Sequence, residues 1–222
     1  FYWNAWWIDQ SLLRGANPYW CHLQFVPQGM PLVLHTLSLI PSTLIALLGR
    51  SLTLPVAYNL MVIGLYPLAG VCLFALARHI TRDTAGSLAG GLAFMMCPFL
   101  ASKLAGHLNL QCAALLPLFV LSLLKAIQDG SRHGRWGTAA LFAVILLSNI
   151  HTAIFAGNAA LWMYLYFAIS EKKWHAWLQR FAAALAPTVA IAALWGSIIA
   201  VCAWRYRLGT DSYAALIWGP QP

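Results

Sequence analysis

Charge is scarce in this chain and, over long stretches, absent. Only 8% of its 222 residues are charged and 61% are hydrophobic, which excludes disorder and argues against an ordinary water-soluble fold. Catalytic signatures are missing as well: there is no HExxH, no nucleophile-elbow GxSxG and no phosphate-binding GxxxxGK. The cysteines, Cys21, Cys72, Cys97, Cys112 and Cys202, show no CxxC spacing. Four of them fall in apolar stretches, where a thiol packs as a small hydrophobe, so they imply neither a disulfide framework nor a metal site. Gly86, Gly90 and Gly91 follow no strand and therefore form no dinucleotide fingerprint; with Ala85, Ala89 and Ala93 they make a small-residue face for helix packing in lipid.

The uncharged runs lie between Arg50 and Arg78, Asp83 and Lys103, Lys103 and Lys125, Arg135 and Glu171, and Arg180 and Arg205. Each reaches the roughly 18 to 20 residues a helix needs to cross the hydrocarbon core, where every backbone polar group must be satisfied within its own helix. The run after Arg135 is too long for one span and long enough for two, with a polar break at Ser148-Asn149-Ile150-His151. The expected fold is all-α: a polytopic transmembrane bundle of about six spans over residues 54–203. These are Leu54 to Ala77, Gly86 to Ala101, Asn109 to Leu124, Trp136 to Ser148, Thr152 to Ile169 and Phe181 to Ala203. Residues 1–53 form an external first loop, and 204–222 begin a further external segment.

Thirteen Lys and Arg stand against five Asp and Glu, a net charge of +8. The basic residues are dispersed among the breaks, which speaks for membrane topology and against nucleic acid. Arg78, Arg82, Lys125, Arg132, Arg135, Lys172, Lys173 and Arg180 fall on one side, and Arg14, Arg50, Lys103, Arg205 and Arg207 on the other. The positive-inside rule puts the first set in the cytoplasm. The stretch from Pro31 to Gly49 must then enter the membrane without crossing, because a crossing would invert every later loop; His35, Ser38 and Pro41 interrupt it, and proline breaks a helix. Before it, Trp3, Trp6, Trp7 and Leu13 share roughly one helical face suited to the headgroup layer, with Asn4, Asp9 and Gln10 elsewhere. Gly15-Ala16-Asn17-Pro18 ends that helix. The cytoplasmic run from Glu171 to Trp177 is an anchor that touches anionic lipid without needing a specific site.

The first loop carries Trp3-Asn4-Ala5-Trp6-Trp7, then Gly15-Ala16-Asn17-Pro18-Tyr19, then Phe25-Val26-Pro27-Gln28-Gly29-Met30-Pro31-Leu32 and His35-Thr36; Ala57-Tyr58-Asn59 and Gly106-His107-Leu108-Asn109 follow. In order and spacing these resemble the membrane-integral C-type glycosyltransferases of bacteria that take sugars from polyprenyl-phosphate carriers. The likeness covers roughly the first 125 residues. It implies a lipid-linked sugar donor, a place in the bacterial inner membrane and a catalytic Asp at the outer end of a helix before the amphipathic one. That position falls ahead of Phe1, so the chain reads as an internal fragment. Asp9, the acidic residue of the first loop, does not match the family position and is otherwise a solvated polar-face residue.

The candidate site residues are His107, Asn109 and Lys103 at one outer helix start, His151 with Asn149 at the neighbouring outer turn, His35 on the re-entrant segment, and Asp9 as the catalytic candidate within the chain. An ionisable group near a membrane surface is costly and so a functional candidate, and Lys with imidazolium pairs well with a lipid phosphate. The plain alternatives are snorkelling by Lys103, capping by Asn109 and Asn149, and packing by His35. No cofactor is implied with certainty, and a divalent metal is left open. The leading function is transfer of a sugar from the lipid-linked donor to an acceptor at the outer face. The alternative is a transporter or lipid-carrier flippase, against which stand the absence of an internal repeat and the gathering of polar residues at one surface. A structural membrane subunit without chemistry is the third reading, though it needs no first loop of this size.

Overall fold

A computed structural model describes residues 1–24, 26–27, 29–33, 35–103 and 106–205. Of the external segment expected over 204–222, residues 206–222 with Arg207 lie outside the described residues, as do Phe25 and Gln28 of the first-loop motif. The first loop folds into α1 (Tyr2–Leu13), a two-residue antiparallel pair of β1 (Trp20–Cys21) and β2 (Met30–Pro31), and α2 (Leu39–Gly49). The bundle follows as α3 (Leu54–Thr81), α4 (Thr84–Met95), α5 (Pro98–Ser102), α6 (Leu108–Gln111), a 3-10 turn (Cys112–Leu115), α7 (Leu116–Asp129), α8 (Arg132–Ser148), α9 (Ile150–Glu171) and α10 (Trp174–Arg205). The fold is all-α apart from the short pair of strands.

Hydrogen bonds to backbone carbonyls hold the first loop together. Asn4 Nδ2 donates to the carbonyls of Thr36 at 2.7 Å and Leu37 at 3.2 Å, and Trp7 Nε1 donates to Pro18 at 2.9 Å. The buried face of α1 is therefore Asn4, Ala5, Trp7, Ile8 and Ser11, while Trp6 and Leu13 are exposed. This corrects the expected aromatic stripe: Asn4 turns inward because its amide satisfies carbonyls of the 36–37 turn. Gly15, at φ +61°, ends α1, and the Ala16 N–H reaches back to the Ser11 carbonyl in a Schellman closure. Gly29 is required by a close approach as well as by its φ of +71°, since a Cβ there would lie 2.8 Å from the Cys21 carbonyl oxygen.

Pro41 does not break the segment after His35. It sits in the first turn of α2, where no intrahelical donor is needed, so the ring sets the helix going. The helix is 11 residues long, about 16 Å, and too short to cross a core of roughly 30 Å.

Among the described residues five stretches are long and apolar enough to cross a membrane: Leu54–Thr81, Thr84–Ser102, Leu108–Asp129, Ile150–Glu171 and Trp174–Cys202. The sixth expected span is α8, whose 17 residues rise only about 26 Å. The Leu108–Asp129 stretch is central, with 61% of its most apolar window buried; in the last stretch the figure is 6%, so that helix is peripheral. Phe119, Leu123, Phe142, Ile145, Ala156, Trp177 and Phe181 form the core of α7 to α10. Large apolar side chains face outward, among them Ile63 at 65%, Trp162 at 68% and Leu194 at 64% exposure. In water such a surface would drive aggregation, whereas in lipid it is the solvated face. At the α3–α4 turn Arg82 adopts a left-handed backbone, and the Asp83 carboxylate accepts from the N–H groups of Ala85 and Gly86 to start α4.

Candidate functional site

A cavity of about 80 Å³, room for roughly five to eight water molecules, lies between the first loop and one end of the bundle. The first loop contributes Tyr19 and the stretch from His35 to Leu39; α6 contributes Asn109; the α8–α9 turn contributes Ser148, Asn149 and His151; α10 contributes Trp195. The Tyr19 and Trp195 rings meet at a centroid distance of 5.6 Å and join the loop to α10.

Unpartnered polar atoms converge on this space. Asn109 Oδ1, Asn149 Nδ2, Ser38 Oγ and His35 Nδ1 are buried without a hydrogen-bond partner, although a buried polar group left unmade costs about 1–3 kcal/mol. Asn149 is fixed at its other end: its Oδ1 caps α9 by accepting the His151 N–H at 2.8 Å, which turns the amide nitrogen away from the helix. Ser38 precedes α2 with φ 51° and ψ 60°, a left-handed conformation that a serine holds only under constraint. Ser42 Oγ supports that turn by donating to the Leu37 carbonyl at 2.8 Å. His35 lies edge-on to Trp3, and burial lowers its pKa, which favours the neutral imidazole near pH 7. Burial pushes the Tyr19 hydroxyl up to about 12, so it stays protonated and able to donate.

Of the candidates from sequence, His35, Asn109 and His151 line this cavity. Lys103 and His107 do not. Lys103 Nζ sits 5.7 Å from the centre of the Phe99 ring, a cation–π contact at the end of α5. His107 is exposed and contributes its carbonyl to the first turn of α6, accepting from Leu110 and Gln111. Asn109 lies inside α6 and caps nothing. Asp9 Oδ1 accepts from Arg50 Nε at 2.8 Å, an ion pair that ties α1 to the end of α2 outside the cavity. Among the described residues no three His, Cys, Asp or Glu side chains come close enough together to hold a metal ion.

Ser38, Tyr19 and Trp195 were not among the candidate site residues, although Tyr19 stood in a first-loop motif. Ser38 carried a weak signal as a polar residue in an apolar run, and Trp195 carried none, being one aromatic within an uncharged helix. Gln111 was missed too: it is 1% exposed, and both polar atoms of its side chain lack partners.

The fold and this cavity define a multi-pass α-helical membrane protein with an uncharged, hydrogen-bonding recess at one end of its bundle. No protein-family model, characterised protein or solved structure matches the chain.

Proposed function

We propose that this chain handles the sugar in a glycosyl transfer from a polyprenyl-phosphate-linked donor to an acceptor, at the outer face of a bacterial inner membrane. The observation that carries this reading is the convergence of Asn109, Asn149, Ser38 and His35 on one recess beside the Tyr19–Trp195 pair. Neutral amides and hydroxyls satisfy ring hydroxyls, and an aromatic face covers the apolar side of a sugar. Neutral His35 accepts a hydrogen bond from a sugar hydroxyl, while Asn149 Nδ2 donates to one. The transfer breaks the bond from the anomeric carbon to the phosphate oxygen and forms one to the acceptor oxygen, whose proton passes to a base. No carboxylate lines the recess among the described residues, so its groups bind and orient the ring.

The test is the full-length protein in liposomes carrying a polyprenyl-phosphate hexose labelled in the sugar. Transfer to an added acceptor that falls roughly 10- to 100-fold in Asn109→Ala and Asn149→Ala, at unchanged protein level, supports the reading. Movement of the labelled lipid between leaflets with no transfer identifies a carrier flippase instead.

A further inference from the structure

A second recess opens at the far end of the bundle. It is a groove of about 590 Å³ between α8 and α10, bordered by Arg132, Arg135 and Trp136 and floored by Ala183, Ala186 and Pro187. Since α8 runs 17 residues from Arg132 to Ser148, about 26 Å separate this groove from the cavity beneath the first loop.

Three features of the groove belong to one ligand. Its cationic rim is held at Arg135, whose Nη2 donates to the Gly130 carbonyl at 2.8 Å at the left-handed turn between α7 and α8. Among the described residues no carboxylate pairs with either arginine, and the acid nearest them in the chain, Asp129, stands in sequence between Lys125 and Arg132. Its floor is apolar and unobstructed, because the alanines one and four residues before Pro187 bring no bulk. Its outer wall is exposed Trp136, a residue type enriched at headgroup depth, on a bundle whose outer faces are apolar. Guanidiniums at headgroup depth above an apolar slot match a phosphate with acyl chains attached.

We infer that the α8–α10 groove is a binding site for an anionic phospholipid, with the headgroup phosphate on Arg132 and Arg135 and one acyl chain along Ala183, Ala186 and Pro187. The site is separate from the sugar recess and does not depend on sugar transfer.

Native mass spectrometry of the purified full chain tests it with phosphatidylglycerol and phosphatidylcholine of identical acyl chains, and with inorganic phosphate as a third probe. Phosphatidylglycerol should be retained over phosphatidylcholine by roughly tenfold or more. Arg132→Gln with Arg135→Gln should abolish that preference; the arginines are surface groups, so the protein keeps its fold. Ala186→Leu, which fills the slot without touching charge, should weaken retention of phosphatidylglycerol, and Lys172→Gln with Lys173→Gln, in the non-specific anchor, should cost far less than loss of the arginines. Equal retention of the two lipids, a preference that survives loss of both arginines, or an equal loss in the lysine variant would overturn the site. Displacement of the lipid by millimolar inorganic phosphate would do so as well, by marking a site for a soluble anion.

Discussion

Gly70 and Gly91 press backbone to backbone where α3 crosses α4: a Cβ on Gly91 would lie 2.7 Å from the Gly70 carbonyl oxygen. Nothing there can rotate away. Gly91→Ala is expected to lower stability by about 1–3 kcal/mol through a forced separation of the helices. Gly90, one residue earlier, has no atom within 4 Å of the same position, so Gly90→Ala should cost nothing. Thermal unfolding of both variants in one detergent checks the contrast.

Asn149 serves two groups with its two ends, and substitution separates them. Asn149→Asp keeps the oxygen that caps α9 but removes the nitrogen that faces the cavity. Its Tm should stay near that of the parent while transfer of the labelled sugar falls. Asn149→Ala loses both and should also cost about 0.5–2 kcal/mol of stability. Equal activity of the Asp variant and the parent would remove Asn149 from the site.

His35 makes stability depend on pH in a stated direction. Burial lowers its folded pKa below the ordinary 6.5, so the unfolded chain binds the proton first as pH falls. Stability contributed by neutral His35 is complete above about 6.5 and is lost progressively between that value and the lower folded pKa. His35→Gln should flatten the unfolding profile over this window, as measured by denaturation at stepped pH.

Asp9 and Arg50 are expected to act as a clamp of modest worth. Asp9→Asn and Arg50→Gln should each cost about 0–1 kcal/mol, and the double variant no more than either alone if the pair is all that Asp9 does. A collapse of sugar transfer in Asp9→Asn with intact folding would instead make it a catalytic carboxylate.

Membrane sidedness follows from which end each connection occupies. With native cysteines replaced, a cysteine at Ala16 should react with an impermeant reagent in intact cells, and one at Ser131 only after permeabilisation. Labelling of position 131 from outside would invert the orientation read from the charges.

The helical spans were legible because lipid imposes one rule on every residue of a crossing segment, so the uncharged runs mark them without tertiary information. The recess was legible only in pieces. His107 and Asn109 looked like partners in sequence, yet His107 stands ahead of α6 with a non-helical backbone and is exposed, while Asn109, inside the helix, lines the cavity. His35, Asn109 and His151 come from separate elements, and only the docking of the first loop on the bundle brings them to one space. Pro41 misled for a related reason: its effect depends on whether it stands within a helix or in its first turn.

The inequality of the helices also bears on the surrounding bilayer. At 28 residues α3 measures about 42 Å, whereas α8, in the same bundle, measures about 26 Å. A hydrocarbon layer of roughly 30 Å cannot match both, so in a bilayer the long helix would have to lean or protrude and the lipid beside the short one to thin. The protein is thereby a wedge in its own solvent. Short-chain lipids fit against α8 and longer ones against α3, and a change in bilayer thickness loads the two sides of the bundle unequally.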